Sequence, residues 1–363
     1  MLRTITSRVT PVLAATLLAA GLAAPQTASA TETIKMVAID GYPARAMWVR
    51  EFSGFFIPEV NKKLAETGNY AIEWQEAYGG SIVKPKGVLE GIRLGLGDIG
   101  IVTTIFHNSA LPSQAISAVT PFISTDARVV AKSVDEIAKE YPQMGTEFAE
   151  QNQVYLATGV VLDTYQVFSR KPISNLGDLK GGKMAGAGYN LRYLEGLDDV
   201  AGVRGGLTDF YNMLQTGVVD HAMLWPEAAM TFKIHEVAPH MLRANLGSVN
   251  SKTVTVNKDV WDGLPEEVKE VLLEVAVMYR DHVASVAMER AAAVSTPSRR
   301  PAARSSICRP TTAPPGPRPC RISPSSGRPA STPRAVPARQ CSRPMSASCA
   351  PPIRRRCGTG RPN

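Results

Sequence analysis

A sharp change in composition after residue 296 limits the part of the chain that can fold. Residues 297–363 contain fourteen arginines and fifteen of the 27 prolines, but no lysine, aspartate or glutamate. All five cysteines lie in this segment, and leucine, phenylalanine, tyrosine and tryptophan are absent from it. A segment without large apolar side chains cannot form a packed core. We therefore expect a disordered Arg/Pro-rich tail at 297–363, outside the fold.

Two interpretations of this tail remain open. It is either a basic arm for nucleic acid or membranes, or the product of out-of-frame translation of GC-rich DNA. We favour the second, because the switch directly follows a regular amphipathic helix and a binding arm usually keeps some lysine and acidic residues.

The first thirty residues have the pattern of a secretory signal peptide. Arg3 and Arg8 precede an apolar run at 12–24, and the small residues 28–30 form a cleavage site. The run is too short to span a bilayer. We expect a mature chain that starts near Thr31 and is free in the periplasm, not embedded in the membrane.

The charge of the remaining chain excludes one class of partner. Residues 31–296 hold 24 basic and 32 acidic side chains, and no cysteine. An acidic body gives no reason to expect nucleic acid as a partner. Disulfides and thiolate metal sites are excluded as well.

Strand-like and helix-like segments alternate through residues 31–296. Apolar strands are predicted at 33–39, 70–78 and 99–102, with helical periodicity at 47–64 and 87–94 between them. A second unit repeats this order between residues 154 and 220. The pattern predicts an α/β fold with two mixed, mainly parallel sheets flanked by helices, and such halves bind small molecules in the crevice between them.

The last predicted element is a helix of about thirty residues. Pro265 stands at its start, acidic residues fill its first turn, and an apolar stripe continues to Val294. A helix of about 45 Å is longer than one lobe needs. We expect it to bridge both lobes.

Motifs for catalysis or metal binding fail on structural grounds. Gly95-Leu96-Gly97-Asp98-Ile99-Gly100 fits the dinucleotide pattern, but it follows a helix and precedes a strand, the reverse of what phosphate binding needs. His235 and His240 are one residue too far apart for a zinc-protease helix, and Pro239 interrupts it. We expect no enzyme activity, no cofactor and no metal.

Four motifs carry a resemblance to a known family. They are Lys-Pro-Ile-Ser-Asn-Leu-Gly-Asp-Leu-Lys-Gly-Gly-Lys at 171–183, Leu-Gln-Thr-Gly-Val-Val-Asp at 214–220, Glu-Val-Ala at 236–238, and Asn-Lys-Asp-Val-Trp-Asp-Gly-Leu-Pro at 257–265. Together they resemble the solute-binding proteins of tripartite ATP-independent periplasmic (TRAP) transporters.

The resemblance implies a two-lobed periplasmic binding protein fold with a hinge and a long bridging helix. On that basis we place lobe 1 at 31–162 plus about 249–294, and lobe 2 at 163–248. It also implies capture of a small organic acid and its delivery to a TRAP-type membrane permease for ion-coupled uptake. The candidate acids are dicarboxylates, hydroxy acids and aromatic acids.

The sequence departs from the family at one important position. The resemblance implies an arginine for the substrate carboxylate in the strand after the 171–183 motif, but that position is Ala185. Arg192 is the nearest replacement, either as an anion clamp or as a solvated arginine on a helix face. The full set of predicted substrate-binding residues is Arg192, Tyr189, Asn190, Trp225, Tyr165, Tyr42, Ser81 and Thr103.

Two other functions stay open at this point. A periplasmic protein that senses a ligand and signals to a membrane receptor would use the same fold. An enzyme on this scaffold would need a nucleophile or an acid/base pair, and neither emerges from the sequence.

Overall fold

Two five-stranded sheets organise the protein. The computed structural model describes residues 30–295, and the predicted signal peptide and Arg/Pro-rich tail lie outside these residues. The strands are β1 (Glu32–Ile39), β2 (Tyr70–Ala77), β3 (Ile99–Thr103), β4 (Gln153–Thr164), β5 (Gln166–Ser169), β6 (Lys183–Gly186), β7 (Ala201–Arg204), β8 (His221–Leu224), β9 (His240–Leu242) and β10 (Ser248–Asn257).

The first sheet has the strand order β2-β1-β3-β10-β4, and the second has the order β7-β6-β8-β5-β9. The chain passes from the first sheet to the second at Tyr165, between β4 and β5, and returns between β9 and β10. These two crossings are the natural hinge of a two-lobed receptor.

Both sheets are mixed, as the sequence predicts, but they are not mainly parallel. In each sheet two strand pairs are parallel and two are antiparallel. In the first sheet β10 is antiparallel to both of its neighbours, β3 and β4, and in the second sheet β5 is antiparallel to both β8 and β9. Each of these two strands directly follows one of the crossings between the sheets.

Helices cover these sheets. They are α1 (Met47–Glu51), α2 (Ile57–Thr67), α3 (Val88–Arg93), α4 (Ile116–Val119), α5 (Ala127–Glu140), α6 (Gln143–Ala149), α7 (Phe210–Gln215), α8 (Pro226–Thr231), α9 (Ile234–Val237), α10 (Lys258–Gly263) and α11 (Glu266–Ser295). A π-helical turn at Phe52–Phe56 joins α1 to α2, and 3₁₀ turns lie at Pro85–Gly87, Thr104–Phe106, Pro112–Ala115, Leu176–Leu179 and Gly188–Leu194.

The long helix α11 bridges the two halves, as the sequence predicts. It packs on β4, α5 and α2 of the first half and also on α8, which follows a strand of the second sheet. Its Tyr279 is fully buried and donates a hydrogen bond of 2.6 Å to the Trp48 carbonyl oxygen. Near its end, Arg290 contacts Glu227 of α8 at 3.3 Å. None of the helices within residues 30–295 is long and apolar enough to cross a membrane.

Candidate functional site

A small cavity, with about 20 Å³ of free volume, lies between the two sheets. Both halves contribute to its wall, so its shape depends on how the halves close. The side of the first sheet supplies Tyr42, Thr103, Ile105, Phe106, Ser251 and Lys252, and the side of the second supplies Tyr165, Ala187, Asn190, Leu207, Phe210, Met223, Leu224 and Trp225.

Lys252 places a buried ammonium group in this wall. β10 pairs with β3 in a register that sets Lys252 opposite Thr103, and directly opposed residues share one face of a sheet. The Lys252 Nζ donates a hydrogen bond of 3.0 Å to the Thr103 Oγ1. Only 2% of the residue is exposed. Pairing of the two strands therefore fixes a cation in the cavity.

Aromatic rings and one carboxylate surround this cation. The Nζ lies 4.3 Å from the ring centre of Trp48 and 4.9 Å from that of Tyr42, which is cation–π geometry. Asp40 follows β1, and its oxygens accept hydrogen bonds from the Tyr42 backbone N–H at 2.7 Å and the Trp48 Nε1 at 3.1 Å. Its carboxylate attracts the ammonium electrostatically.

Burial shifts the titration of both groups. It raises the pKa of Asp40, and the charge of Lys252 and the two hydrogen bonds offset part of that rise. It lowers the pKa of Lys252, and the charge of Asp40 opposes that fall. The charged forms of a buried pair are expensive unless further partners solvate them. An anion in the cavity would be such a partner for Lys252.

Asn190 faces the cavity from the other side. It is 1% exposed and belongs to the 3₁₀ turn Gly188–Leu194. The Tyr165 hydroxyl lies near its amide, but within residues 30–295 neither Oδ1 nor Nδ2 of Asn190 has a hydrogen-bond partner. A buried polar group without a partner costs about 1–3 kcal/mol. The amide is therefore available to a ligand.

Gly188 brings this turn against the first half. Its φ of +53° is left-handed, and a Cβ at this position would come within 2.1 Å of the Ile105 carbonyl oxygen. Nearby, the Tyr193 hydroxyl donates a hydrogen bond of 2.8 Å to the Ala118 carbonyl oxygen. Only glycine permits this close approach, which seals one side of the cavity.

Trp225 forms an aromatic wall whose indole is held from behind. Its ring packs edge-on against Tyr165 at 5.6 Å and tilted against Trp48 at 6.3 Å. Its Nε1 donates to the buried Glu227 carboxylate at 3.3 Å, and that carboxylate also accepts from Thr231 at 2.6 Å. The ring is therefore fixed in orientation and offers its apolar surface to a ligand.

A second hollow adjoins the cavity at Ile105 and Phe106. Lys86 and Arg204 line it from opposite halves, and both side chains are exposed. These cations lie beside the cavity rather than inside it, and they add positive potential that attracts anions to this region.

The structure brings together five of the eight predicted site residues, namely Tyr42, Thr103, Tyr165, Asn190 and Trp225. The other three do not line the cavity. Ser81 lies in an exposed loop and Tyr189 is half-buried beneath Arg192. The Arg192 side chain is 63% exposed and paired with Glu195 at 3.1 Å. Ala185 is fully buried in β6, so this position supplies no cation.

Lys252 is the important residue that the sequence analysis does not identify. A signal for it exists, since Lys252, Val254 and Val256 alternate along one face of a strand, and a lysine on an apolar face is unusual. Asp40 is not identified by the sequence analysis either. Among residues 30–295 no cluster of three or more His, Cys, Asp or Glu side chains is arranged to hold a metal ion.

Comparisons with known proteins point to one family. The family described as bacterial extracellular solute-binding protein, family 7 (DctP), matches residues 57–296. The C4-dicarboxylate-binding periplasmic protein DctP of Rhodobacter capsulatus is 37% identical over 82 residues. That match covers 23% of this chain and 24% of the relative, so it spans about a quarter of the relative's length.

Solved structures with the same fold are TRAP solute-binding proteins. One from Desulfovibrio salexigens has a TM-score of 0.61 at 21% identity, and covers 72% of this chain and 78% of its own. A Bordetella pertussis receptor that binds pyroglutamic acid has a TM-score of 0.62 at 18% identity, covering 72% and 83%. One from Sulfitobacter with bound β-D-galacturonate has a TM-score of 0.60 at 19% identity, covering 72% and 84%. These likenesses confirm the two-lobed fold, and together with the family match they confirm the resemblance to TRAP solute-binding proteins.

Proposed function

Because the chain belongs to the bacterial extracellular solute-binding proteins of family 7, we propose that it captures a small organic acid between its two lobes. Three of the relatives described above support this class of solute, since one is named for a C4-dicarboxylate, one binds pyroglutamic acid and one was solved with galacturonate. Lobe 1 consists of about 31–162 plus 249–294, and lobe 2 of 163–248.

The buried ammonium of Lys252 is the observation that carries the proposal. The ammonium is 2% exposed in the cavity wall, where Asp40 attracts it and the anionic group of a solute would be a second partner. A carboxylate would take up the remaining Lys252 N–H donors in a charge-assisted hydrogen bond. Closure excludes water and strengthens that bond.

The same proposal assigns the protein a place and a partner. The signal-peptide pattern of the first thirty residues supports export to the periplasm and cleavage near Thr31. Family membership supports delivery of the acid to a TRAP-type permease. We expect the receptor to bind its solute without converting it, which its membership of a solute-binding family supports.

Thermal stability in the presence of candidate acids tests the proposal. A ligand that binds only the folded state increases the free energy of unfolding by mass action, by about 2.7 kcal/mol when its concentration is one hundred times its Kd. The unfolding temperature rises as a result. The panel contains dicarboxylates, hydroxy acids, uronic acids and aromatic acids, each with its uncharged amide or alcohol analogue as the control.

We expect at least one acid to raise the unfolding temperature while its uncharged analogue does not. The bound solute, recovered after denaturation, is expected to be chemically unchanged. A panel that gives no shift would contradict acid capture, and conversion of the solute would identify an enzyme.

A further inference from the structure

We infer that the solute is a monocarboxylic acid whose other end carries a neutral group that accepts and donates hydrogen bonds, as an amide or lactam does. This inference rests on the proposed function. It assigns the carboxylate to Lys252 and the neutral group to Asn190, two residues on opposite walls of one cavity.

The carboxylate end follows from the charges. Among the residues that line the cavity, Lys252 alone is charged. One of its three N–H donors is used by Thr103 at 3.0 Å, and the rings of Trp48 and Tyr42 cover its flanks without accepting conventional hydrogen bonds. The donors that remain suit one carboxylate.

The neutral end follows from the unbonded amide of Asn190. An asparagine side chain presents a donor and an acceptor side by side, and here neither has a protein partner within the described chain although the residue is 1% exposed. An amide or lactam offers the complementary pair. A carboxylate has acceptors only, so it would leave the Asn190 Oδ1 unpaired and face its lone pairs.

A second carboxylate would also lack a cation. The other charged groups near the cavity are acidic, since Asp40 lies beside Lys252 and Glu227 lies behind Trp225. A desolvated anion without a partner is strongly disfavoured. The nearest basic side chains, Lys86 and Arg204, line the neighbouring hollow and are exposed.

The wall between the two polar ends selects a compact apolar body. Tyr165, Phe210 and Trp225 line the second side, and Trp225 is fixed by Glu227. Flat rings pack well against such aromatic faces. The expected solute is therefore a ring or short apolar chain with a carboxylate at one end and an amide-like group at the other.

Dissociation constants for two matched pairs of acids test the inference with the full-length chain. The first pair is pyroglutamate and cyclopentanecarboxylate, which differ in the lactam. The second is 4-carbamoylbenzoate and terephthalate, in which a neutral amide replaces a second carboxylate. We expect titration calorimetry to show at least tenfold tighter binding of the amide-bearing acid in each pair.

The variant Asn190→Leu removes the amide and keeps the size of the side chain. It is expected to weaken binding of the amide-bearing acids at least tenfold and to leave cyclopentanecarboxylate within about twofold. Asn190→Ala serves as a second variant should the leucine disturb folding. Circular dichroism and the unfolding temperature verify that both variants are folded.

The outcomes separate the inference from the proposed function. If no acid of any class binds the unaltered protein, the proposed function is overturned, and the inference with it. If acids bind but Asn190→Leu leaves their order unchanged, the inference is overturned and the function stands. The inference is also overturned if terephthalate binds more tightly than 4-carbamoylbenzoate and this preference is lost in Lys86→Met or Arg204→Met. A second anion site would then lie in the neighbouring hollow.

Discussion

The two sides of the cavity offer a ligand different chemistry. The side of the first sheet holds a buried charge, Lys252, fixed by its register with Thr103 and balanced by Asp40. The side of the second sheet offers the neutral Asn190 amide and the Trp225 ring. The resemblance to the family predicts the opposite arrangement, with an arginine in the second lobe. Under the proposed function, the carboxylate would contact the strands beside the hinge, and the second side would select a neutral group.

Removal of the buried charge has the largest expected effect on the difference between the two sides of the cavity. We expect Lys252→Met to weaken binding of an acid solute at least one hundredfold, because charge-assisted hydrogen bonds of about 1.5–3 kcal/mol and the Coulomb attraction are lost together. Calorimetry measures the effect, and the unfolding temperature verifies that the variant is folded.

The matched control is Arg192→Met, which removes a cation that is 63% exposed and bound to Glu195. Its dissociation constant is expected to stay within about twofold of the unaltered protein. The reverse result, with Arg192 essential and Lys252 dispensable, would return the carboxylate contact to the second lobe, as the sequence analysis predicts.

The next prediction concerns the close contact between Gly188, in the turn that carries Asn190, and Ile105 of the first half. Gly188→Ala would set a Cβ within 2.1 Å of the Ile105 carbonyl oxygen, so the turn that carries Asn190 must withdraw. We expect affinity to fall about ten- to one hundredfold, since ligand contacts need both walls. Gly196→Ala is the control, because Gly196 also has a positive φ, +87°, but a Cβ there meets no atom within 4 Å.

Both glycine variants carry similar backbone strain, so they are expected to lose similar amounts of thermal stability. Only Gly188→Ala is expected to lose affinity as well, and small-angle scattering with saturating acid is expected to show it more open than the unaltered protein. Equal affinities of the two variants would show that this approach of the halves does not matter for binding.

The pH dependence of affinity tests whether the buried charges of Lys252 and Asp40 control anion binding. Burial lowers the pKa of Lys252 and raises that of Asp40. An anion is bound best when Lys252 is protonated and Asp40 is neutral. Deprotonation of either residue weakens the site, so affinity is expected to fall about tenfold from pH 6 to pH 9. Tyr42 and Tyr165, which line the same cavity, do not interfere, since burial raises the pKa of both hydroxyls.

Lys252→Arg provides the control for this profile. A guanidinium stays charged throughout the range, so only the Asp40 contribution remains and the decline is expected to be shallower. Cyclopentanecarboxylate is a suitable probe, because its carboxylate is ionised over the whole range. A flat profile in the unaltered protein would exclude Lys252 as the group that binds the anion.

The sequence predicts the fold better than the site for physical reasons. Strand and helix periodicity depends on local spacing, and the predicted segment at 33–39 lies within β1, while the long helix reaches the neighbourhood of Val294 as expected. The share of antiparallel pairs depends instead on which strands become neighbours, and local spacing carries no information on that.

The site depends on contacts between distant segments. Thr103 and Lys252 meet only through the pairing of β3 and β10, 149 positions apart. All ten residues of β10 are buried, so both faces of this strand pack against protein, and the sequence alone does not show which neighbours the lysine meets. Trp225 is predicted because it lies among the strand ends and loops of the second half, where ligands bind in α/β proteins, and Asn190 because it opens the helix that carries Arg192.

The smallest expected effect concerns the hinge between the two sides. Asp163 is buried at the end of β4 with φ of +135°, its Oδ1 accepts from the Thr164 backbone N–H at 2.6 Å, and its Oδ2 lacks a partner within the described residues. Burial, with the nearby Glu227 charge, raises its pKa from 3.8 to about 7. A raised pKa in the folded state means that stability is present below pH 4 and is lost as the pH rises through 7.

Asp163→Asn removes that penalty while it retains the acceptor for Thr164. At pH 8 the variant is expected to be more stable by about 1–2 kcal/mol, which corresponds to an unfolding temperature higher by about 2–6 °C. At pH 4.5 the gain is expected to be much smaller, because the pH then lies close to the unfolded pKa of 3.8, below which the two states bind the same proton. The exposed Asp198→Asn is the control and is expected to change neither value. A gain that is the same at both pH values would show that backbone conformation, not the buried charge, limits stability at the hinge.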